Sequence, residues 1–269
     1  MNRSLFKKEY IQDLCTEYNA EPRSSLSQYY LIEEQPIRTI LKAGNLSGNE
    51  HAVELGPGFG ALTFGLCHKS DQQVIAFEID EKLKQYWQQE KQKHDLNLRL
   101  VFGEGVKNFE KYNEKLPEDY KFFSNLPYHL TSHAMKTILE SPNKPSSITV
   151  MMQREVAERI CQQPGDMSLL SVSVQFYGEP EIADYVSPQA FWPQPEVESA
   201  ILHVDQISGN DIDPEKFFKV VKAGFKHKRK QLKKNFKLEF GLDSNNAEDL
   251  IEAATEPQYS RARAQKFSV

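Results

Sequence analysis

The sequence contains little cysteine and no long apolar segment. Its three cysteines, Cys15, Cys67 and Cys161, are far apart and form no C-x-x-C pair, so we expect them to stay reduced. No apolar run approaches the length that crosses a bilayer, and residues 1–9 lack the apolar core of a signal peptide. These absences predict a cytoplasmic protein that contacts no membrane, and a monomer is the default expectation.

Signatures of covalent hydrolysis and of metal binding are also missing. The sequence has no G-x-S-x-G motif and no cysteine-centred nucleophile motif, which argues against a covalent hydrolase. His129 and His133 are spaced i, i+4, as on one face of a helix, but no third ligand occurs at a recognisable spacing. We therefore predict a polar helix face here and no metal site.

Positive charge is concentrated near the C-terminus, although the whole chain has a net charge of −5 and a pI near 5.9. Residues 219–237 interleave apolar side chains with nine lysines or arginines and contain no acid. The nine are Lys219, Lys222, Lys226, Lys228, Arg229, Lys230, Lys233, Lys234 and Lys237. This pattern predicts an amphipathic helix with a basic face. Charged faces are often merely solvated, but the contrast with the acidic remainder favours a phosphate-binding surface.

The most informative motif is Asn125-Leu126-Pro127-Tyr128. It follows the apolar run 120–124, which predicts a buried strand, so the motif is expected where that strand opens into a loop. The Asn125 side-chain oxygen and the Leu126 carbonyl can each accept one hydrogen from the amino group of a flat base. Pro127 fixes the turn and Tyr128 offers a stacking face. An ordinary turn uses similar residues, so the motif alone leaves both interpretations open.

A second motif, upstream of the first, has glycines at alternate positions after an apolar strand. Gly56, Gly58 and Gly60 let the backbone approach a ligand closely, and a helix-like stretch that follows adds amide dipoles. The next strand runs to Glu78, where a carboxylate commonly binds ribose hydroxyls. Gly56, Gly58 and Ala61 also fit the dinucleotide fingerprint, so a nicotinamide or flavin enzyme is an alternative. Together the two motifs favour a nucleoside-bearing methyl donor beside a pocket for an amino base.

Strand and helix patterns alternate along most of the chain. The strand candidates are His51–Leu55, Val74–Ile79, Leu98–Phe102, Lys121–Leu126, Ile148–Met152, Leu170–Phe176 and Ala200–Asp205. This alternation predicts an α/β fold with a mostly parallel sheet and ligands at the carboxyl ends of its strands. A polar linker begins at residue 206. We therefore predict an α/β domain over residues 1–206 and a small all-helical domain over residues 207–269.

Several stretches resemble the small-subunit ribosomal RNA adenine dimethyltransferase family. They are Ser25–Leu31, Glu54–Thr63, Phe77–Asp80, Asn125–Tyr128, Gln153–Arg159, Phe191–Ala200 and the basic residues 225–230. The tetrad is shared with other amino methyltransferases, whereas the runs Gln153–Arg159 and Phe191–Ala200 are more specific to this family. Outside the group, the large-subunit rRNA adenine methyltransferases of macrolide resistance are most similar, and their tetrad is also commonly followed by histidine.

The resemblance implies a class I S-adenosylmethionine-dependent methyltransferase with a Rossmann-like, seven-stranded, mostly parallel sheet. It further implies dimethylation of two adjacent adenosines near the 3′ end of small-subunit (16S-type) rRNA, in a pre-30S-type particle. The implied donor-binding residues are Gln28, Tyr29, Leu31, Gly56, Gly58, Gly60, Glu78, Ile79, Glu104 and Asn125. The implied catalytic residues are Asn125, Leu126, Pro127 and Tyr128. The implied substrate-binding residues are Tyr128, Phe191, Lys226, Lys228, Arg229, Lys230, Lys233 and Lys234.

Three regions depart from the family pattern. Ser27 and Tyr29 stand where glycine and asparagine are usual, Glu104 stands where aspartate is usual, and Ser124 replaces the glycine before the tetrad. Because these changes allow weaker donor binding, a weakly catalytic ribosome assembly factor on the same fold is one alternative. An adenine methyltransferase acting on large-subunit RNA or on DNA is another.

Overall fold

The structure is a computed structural model, and it describes residues 3–23, 27–207, 212–227, 230–254 and 262–267. The chain forms two compact units. The first comprises Met1–Glu158 and Gly178–Ser208, and the second comprises Arg159–Tyr177 and Gly209–Val269. The second unit thus takes in a segment that the sequence analysis assigned to the α/β domain.

The described residues form the following strands and helices, numbered in chain order. The strands are β1 Tyr30–Leu31, β2 Ala52–Leu55, β3 Val74–Glu78, β4 Leu98–Phe102, β5 Lys121–Asn125, β6 Ser147–Gln153, β7 Glu179–Val186, β8 Phe191–Trp192 and β9 Ser199–Asp205. The helices are α1 Lys8–Glu17, α2 Gln35–Ala43, α3 Thr63–Lys69, α4 Lys84–His94, α5 Gly105–Tyr112, α6 Thr131–Glu140, α7 Arg154–Ile160, α8 Leu169–Gln175, α9 Pro214–Phe225, α10 Leu232–Phe240 and α11 Ser244–Ala254. None of these described helices is long and apolar enough to span a bilayer.

Seven of the described strands form one sheet in the order β4-β3-β2-β5-β6-β9-β7. The pairs from β4 to β6 are parallel, and β9 runs antiparallel to both β6 and β7. Parallel strands covered on both faces must be apolar along their length, and every residue of β2 and β3 is buried. The predicted seven-stranded, mostly parallel sheet is confirmed.

The prediction of a strand at Leu170–Phe176 was wrong, because this segment lies within helix α8 and its flank. The alternation of apolar residues with serine and glutamine is typical of a strand. A capping box starts the helix instead: the Ser168 hydroxyl accepts the Ser171 N–H (3.2 Å), and the Ser171 hydroxyl accepts the Ser168 N–H (2.6 Å). The local hydrogen bonds of this box outweigh the two-residue periodicity.

The seventh strand of the sheet is β7, which the sequence analysis missed. It lies at the edge of the sheet and, among the described strands, pairs only with β9, with a register shift between Ile182 and Asp184. Most of its residues are exposed or half-buried, so it lacks the apolar pattern of the central strands. Pro180 near its start is tolerated because an edge strand can lack one ladder donor.

The sequence analysis predicted a single amphipathic helix over the basic residues 219–237, and this prediction was wrong. These residues divide between α9, which ends at Phe225, and α10, which begins at Leu232. A small apolar cluster of Ala223, Leu232, Phe236 and Ile251 packs α9, α10 and α11 together. Both α9 and α10 direct apolar side chains toward this cluster. Packing α9 against α10 therefore favours two helices over one continuous basic helix.

Candidate active site

A cleft opens at the carboxyl ends of β2, β3 and β5 in the first unit. It encloses about 1110 Å³, with its open mouth included. Its lining includes Ser27, Gln28, Tyr29, Tyr30, Leu31, Glu54, Gly56, Gly58, Phe59, Glu78, Ile79, Asn125, Leu126, Pro127, Tyr128, His129 and Phe191. The glycine loop, residues 56–60, and the tetrad Asn125–Tyr128 are far apart in sequence. They nevertheless share one cavity at the carboxyl ends of the strands, where a parallel sheet binds ligands.

Two hydrogen-bond acceptors of the tetrad are available at the end of β5. β5 ends at Asn125, and the Leu126 N–H donates to the Met151 carbonyl of β6 at 3.0 Å. Pro127, at φ −56°, then turns the chain into the 3₁₀ helix Tyr128–Leu130. Within the described residues nothing donates a hydrogen bond to the Asn125 side chain or to the Leu126 carbonyl. Both acceptors are available to an amino group in the cleft.

Hydroxyl groups hold both ends of the tetrad. Ser124, which precedes it, is fully buried and its hydroxyl donates to the Leu55 carbonyl at 2.5 Å. At the other end, the Tyr128 hydroxyl lies 2.8 Å from the Ser199 hydroxyl on β9. The sequence departure at Ser124 is therefore accommodated by a bond to β2, and the Tyr128 ring is fixed at its far edge.

Two side chains of helix α4 donate hydrogen bonds to backbone carbonyls of the glycine loop. The Trp87 indole N–H donates to the Gly58 carbonyl at 3.0 Å, and the Tyr86 hydroxyl donates to the Phe59 carbonyl at 2.7 Å. Gly60 has φ +91°, and a Cβ there would lie 2.7 Å from Cη2 of Trp87. Glycine is therefore required at residue 60 both by the backbone angle and by the approach of α4, although Gly60 itself does not line the cleft.

Glu78 ties the glycine loop to the end of β3. Its side chain is 3% exposed; Oε2 accepts the Gly58 N–H at 2.9 Å, and Oε1 accepts the Asp80 N–H at 2.7 Å. Burial raises the pKa of Glu78, and these two N–H groups oppose that rise. Each carboxylate oxygen can accept a further hydrogen bond. The next residue, Ile79, is 46% exposed and gives the cleft an apolar wall.

Glu54 is a second acid in the cleft, and the sequence analysis assigned it no role. It is 1% exposed on β2, and burial raises its pKa to about 8. The nearby Thr63 partly offsets this rise, yet neither Oε2 of Glu54 nor Oγ1 of Thr63 has a hydrogen-bonding partner among the described residues. The sequence signal was available: Glu54 is the one acid in the apolar run that precedes the glycine loop.

Replacing Glu54 with glutamine is expected to flatten the pH dependence of stability. In the unfolded chain the carboxyl loses its proton near pH 4.5, whereas the folded protein keeps it to about pH 8. Stability of the wild type should therefore fall with rising pH in this window by on the order of 1 kcal/mol per pH unit relative to Glu54→Gln. Urea unfolding of both proteins from pH 5 to pH 8 measures this difference, and parallel profiles would contradict it.

The charge of the cleft favours a cationic ligand. Within the described chain no lysine or arginine lines it, whereas Glu54 and Glu78 do. The Gly58 N–H, which a dinucleotide pyrophosphate would need, is already bound to Glu78. The buried Glu78 carboxylate repels an anionic pyrophosphate and attracts a positive charge, and a bound cation would favour ionisation of Glu54. The nicotinamide alternative is therefore disfavoured by the residues that line the cleft.

The N-terminal loop closes one side of the cleft through β1. Leu31 and Phe191 pair in the antiparallel ladder of β1 and β8, and both are buried. Gln28 lines the cleft, and its side-chain oxygen accepts the Arg23 N–H at 3.0 Å. Tyr29 also lines the cleft, and its ring contacts the ring of Tyr128. All four predicted residues therefore surround the cavity.

Glu104 does not line the cleft, contrary to its expected position beside the donor. It precedes α5, is exposed, and its carboxylate forms an ion pair with Lys107 at 2.7 Å. The side chain of a glutamate is longer than that of the aspartate usual at this position, and here its extra reach is directed to Lys107. The assignment of Glu104 to the donor stays a prediction without support from the cleft geometry.

Part of the predicted basic surface lines an open hollow in the second unit. Lys230, Lys233, Lys234 and Lys237 line it together with Gln231, Leu238 and Ser244. Residues 219–237 contain no acid, but two of their nine positive charges are paired with acids from outside this segment: Lys233 pairs with Glu248 and Lys226 pairs with Glu239. Lys228 and Arg229 lie outside the described residues. Lys230 and Lys234 form no ion pair within the described chain.

Two structures share the fold over nearly the whole chain. A dimethyladenosine transferase from Plasmodium falciparum superposes with a TM-score of 0.76 at 20% identity, covering 88% of this chain and 92% of that one. The 23S rRNA methyltransferase ErmE superposes with a TM-score of 0.67 at 24% identity, covering 88% and 95%. The fold is that of the class I S-adenosylmethionine-dependent methyltransferases, with a helical C-terminal region, as predicted.

Sequence comparison identifies the family. The model of the family described as ribosomal RNA adenine dimethylase matches residues 19–261. Ribosomal RNA small subunit methyltransferase A of Dehalococcoides mccartyi strain CBDB1 is 38% identical over 226 residues, or 82% of this chain and 76% of that protein. The protein of the same name from Geobacillus thermodenitrificans is 32% identical over 246 residues, or 87% and 83%. The chain therefore belongs to the ribosomal RNA adenine dimethylase family, and the resemblance read from its motifs is confirmed.

Proposed function

We propose that this protein transfers methyl groups from S-adenosylmethionine to the exocyclic nitrogens of two adjacent adenosines near the 3′ end of small-subunit rRNA. It acts as a cytoplasmic monomer on a small-subunit precursor. The observation that carries the proposal is the cleft, in which two free acceptors of the tetrad face a glycine loop braced by a buried acid. An RNA adenine suits the tetrad, which is the acceptor half of the cleft, and a charged nucleoside donor suits the glycine loop, which is the donor half.

The donor half of the cleft fits S-adenosylmethionine. Glu78 would hold the ribose hydroxyls, and Ile79 would pack against the donor's adenine. Glu54, with an unpartnered buried oxygen, suits the donor's ammonium group. Gly56 and Gly58 leave room for the donor along the loop. When bound, S-adenosylmethionine supplies a methyl group activated by a positively charged sulfur, which the acidic cleft stabilises.

The acceptor half of the cleft fits the amino group of adenine. That nitrogen is a poor nucleophile because its lone pair is delocalised into the ring. Hydrogen bonds from the amino group to the Asn125 oxygen and the Leu126 carbonyl favour a pyramidal nitrogen and stabilise the positive charge that develops on it. Tyr128 stacks on the base and Phe191 closes the pocket. We assign the catalysis to positioning without a general base, and the proton leaves to solvent.

A panel of acceptors tests this function against its alternatives. Labelled S-adenosylmethionine is incubated with the protein and with small ribosomal subunits that lack terminal dimethyladenosine, with large-subunit RNA, or with duplex DNA. We expect label in the small-subunit RNA alone. Preferential labelling of large-subunit RNA would indicate the macrolide-resistance activity. Tight particle binding with no transfer to any acceptor would indicate an assembly factor.

Reversing two charges in the basic hollow is expected to weaken RNA binding. Lys230 and Lys234 are exposed and have no acidic partner among the described residues, so they are free to contact phosphate. The double variant Lys230→Glu/Lys234→Glu should lower the affinity for small subunits and reduce the slope of log affinity against log salt by about 2. Filter binding over a salt series measures both quantities.

The matched control for this experiment carries the same charge change elsewhere. Lys111 and Lys115 are exposed lysines of the first unit, outside the hollow. The variant Lys111→Glu/Lys115→Glu should keep the wild-type salt slope. Equal slopes in the wild type and in the hollow variant would mean that the hollow is solvated and does not bind phosphate.

A further inference from the structure

The ring of Tyr29 lies against the ring of Tyr128 at the mouth of the cleft. Their centroids are 5.4 Å apart and their planes are inclined by 35°. Both residues line the cleft and both are half-buried. The face that Tyr128 offers to a base is therefore next to a second aromatic ring, from a part of the chain about a hundred residues away in sequence.

Tyr29 faces the acceptor half of the cleft, whereas its neighbour Tyr30 faces the donor half. The Tyr30 ring packs on Phe59 of the glycine loop at 5.2 Å between centroids, and its Cε1 approaches the position of a Gly58 Cβ at 3.5 Å. Successive side chains of an extended segment point to opposite sides. This alternation separates Tyr29 from the donor loop and directs it to the tetrad.

The two rings differ in how firmly they are held. The Tyr128 hydroxyl is bonded to Ser199, and its backbone follows Pro127 into a 3₁₀ turn. The Tyr29 hydroxyl has no hydrogen-bonding partner in the part of the chain that the structure describes, and its backbone precedes β1 in a loop. Tyr128 is thus a fixed wall, and Tyr29 can turn about its own side-chain bonds.

The spacing of the rings leaves no room for a base between them as they stand. A flat base stacked between two rings needs one van der Waals gap on each side, or about 7 Å in total. The observed 5.4 Å falls short by less than one such gap. A rotation of Tyr29 away from Tyr128 opens that space, and side-chain rotations of partly exposed residues are fast.

We propose that Tyr29 and Tyr128 form an aromatic clamp for the target adenine, in which Tyr29 is the movable wall. Without RNA the rings cover each other, and when the flipped adenine enters, Tyr29 turns and stacks on its second face. Tyr29 is then a positioning residue for the acceptor and not a contact of the donor, which was its predicted role. This inference rests on the proposed adenine methylation.

Steady-state kinetics on small subunits lacking dimethyladenosine, combined with titration of S-adenosylhomocysteine, test the clamp. Tyr29→Ala should raise KM for the particle by about 10-fold or more, because it removes one stacking contact. Its affinity for S-adenosylhomocysteine should stay within about twofold of the wild type. Tyr29→Phe keeps the ring and should restore KM. Tyr185→Ala, which removes an exposed tyrosine from edge strand β7, is the control and should change neither quantity.

A fluorescence measurement reports stacking directly. RNA with 2-aminopurine in place of the target adenine should be quenched less by Tyr29→Ala than by the wild type or Tyr29→Phe. An unchanged KM and unchanged quenching in Tyr29→Ala would overturn the clamp while leaving the methylation intact. A loss of donor affinity alone would return Tyr29 to the donor. A wild type that neither binds S-adenosylhomocysteine nor transfers methyl groups would overturn the proposed function, and the clamp with it.

Discussion

Replacing Asn125 with alanine is expected to lower kcat for methyl transfer by about 100- to 1000-fold, while affinity for S-adenosylhomocysteine stays within about twofold. The side-chain oxygen of Asn125 is one of two free acceptors at the end of β5. It is aimed at charge that develops only during transfer, so its loss falls on the rate and little on binding. Single-turnover transfer and isothermal titration measure the two quantities separately.

The control for this prediction removes an asparagine outside the cleft. Asn97 directly precedes β4 and is exposed, and its side chain donates to the Asp71 carbonyl at 3.5 Å. Asn97→Ala should keep wild-type turnover. If Asn125→Ala lost donor affinity and turnover to the same extent, the change would have disrupted folding of the cleft, and Asn125 would have no demonstrated catalytic role.

Replacing Glu78 with alanine is expected to weaken donor binding by at least about 100-fold. Two effects combine. The ribose hydroxyls lose a charged acceptor, and the N–H groups of Gly58 and Asp80 lose the carboxylate that fixes the glycine loop to β3. Titration with S-adenosylhomocysteine measures the loss, and kcat at saturating donor should recover much of the wild-type value because the tetrad is unchanged.

Two further variants make the Glu78 experiment specific. Glu78→Gln keeps the shape and one acceptor oxygen but places an amide N–H₂ near the backbone donors, so an intermediate loss of affinity is expected. Glu81→Ala removes an exposed acid three residues away, which pairs with Lys84, and should leave donor affinity unchanged. Wild-type affinity in Glu78→Ala would remove this residue from the donor site.

The central sheet and the cleft were predictable because each depends on short, local patterns. A strand that runs directly into alternate glycines, or into Asn125 and Pro127, places those residues at the carboxyl end of a parallel strand. The topology then brings such ends together at one edge. Gly56, Gly58, Glu78 and the tetrad therefore converge without any information beyond the order of the elements.

Other features depend on contacts that no local pattern encodes. The alternation in Leu170–Phe176 was outweighed by the Ser168 capping box, and β7 is too exposed to show a strand pattern. Glu104 turns to Lys107, a choice between partners that the sequence leaves open. The contact between Tyr29 and Tyr128 joins a loop residue to the first residue of a 3₁₀ helix, and only the folded cleft shows that their rings meet.

Mass analysis of nucleosides tests the proposed chemistry most directly. Small ribosomal subunits lacking dimethyladenosine are incubated with S-adenosylmethionine and either the wild-type protein or Asn125→Ala, and the 3′ fragment of their rRNA is digested. We predict N6,N6-dimethyladenosine at two adjacent positions with the wild type and almost none with the variant. No methylated adenosine with the wild type, despite tight binding to the particle, would contradict the proposal.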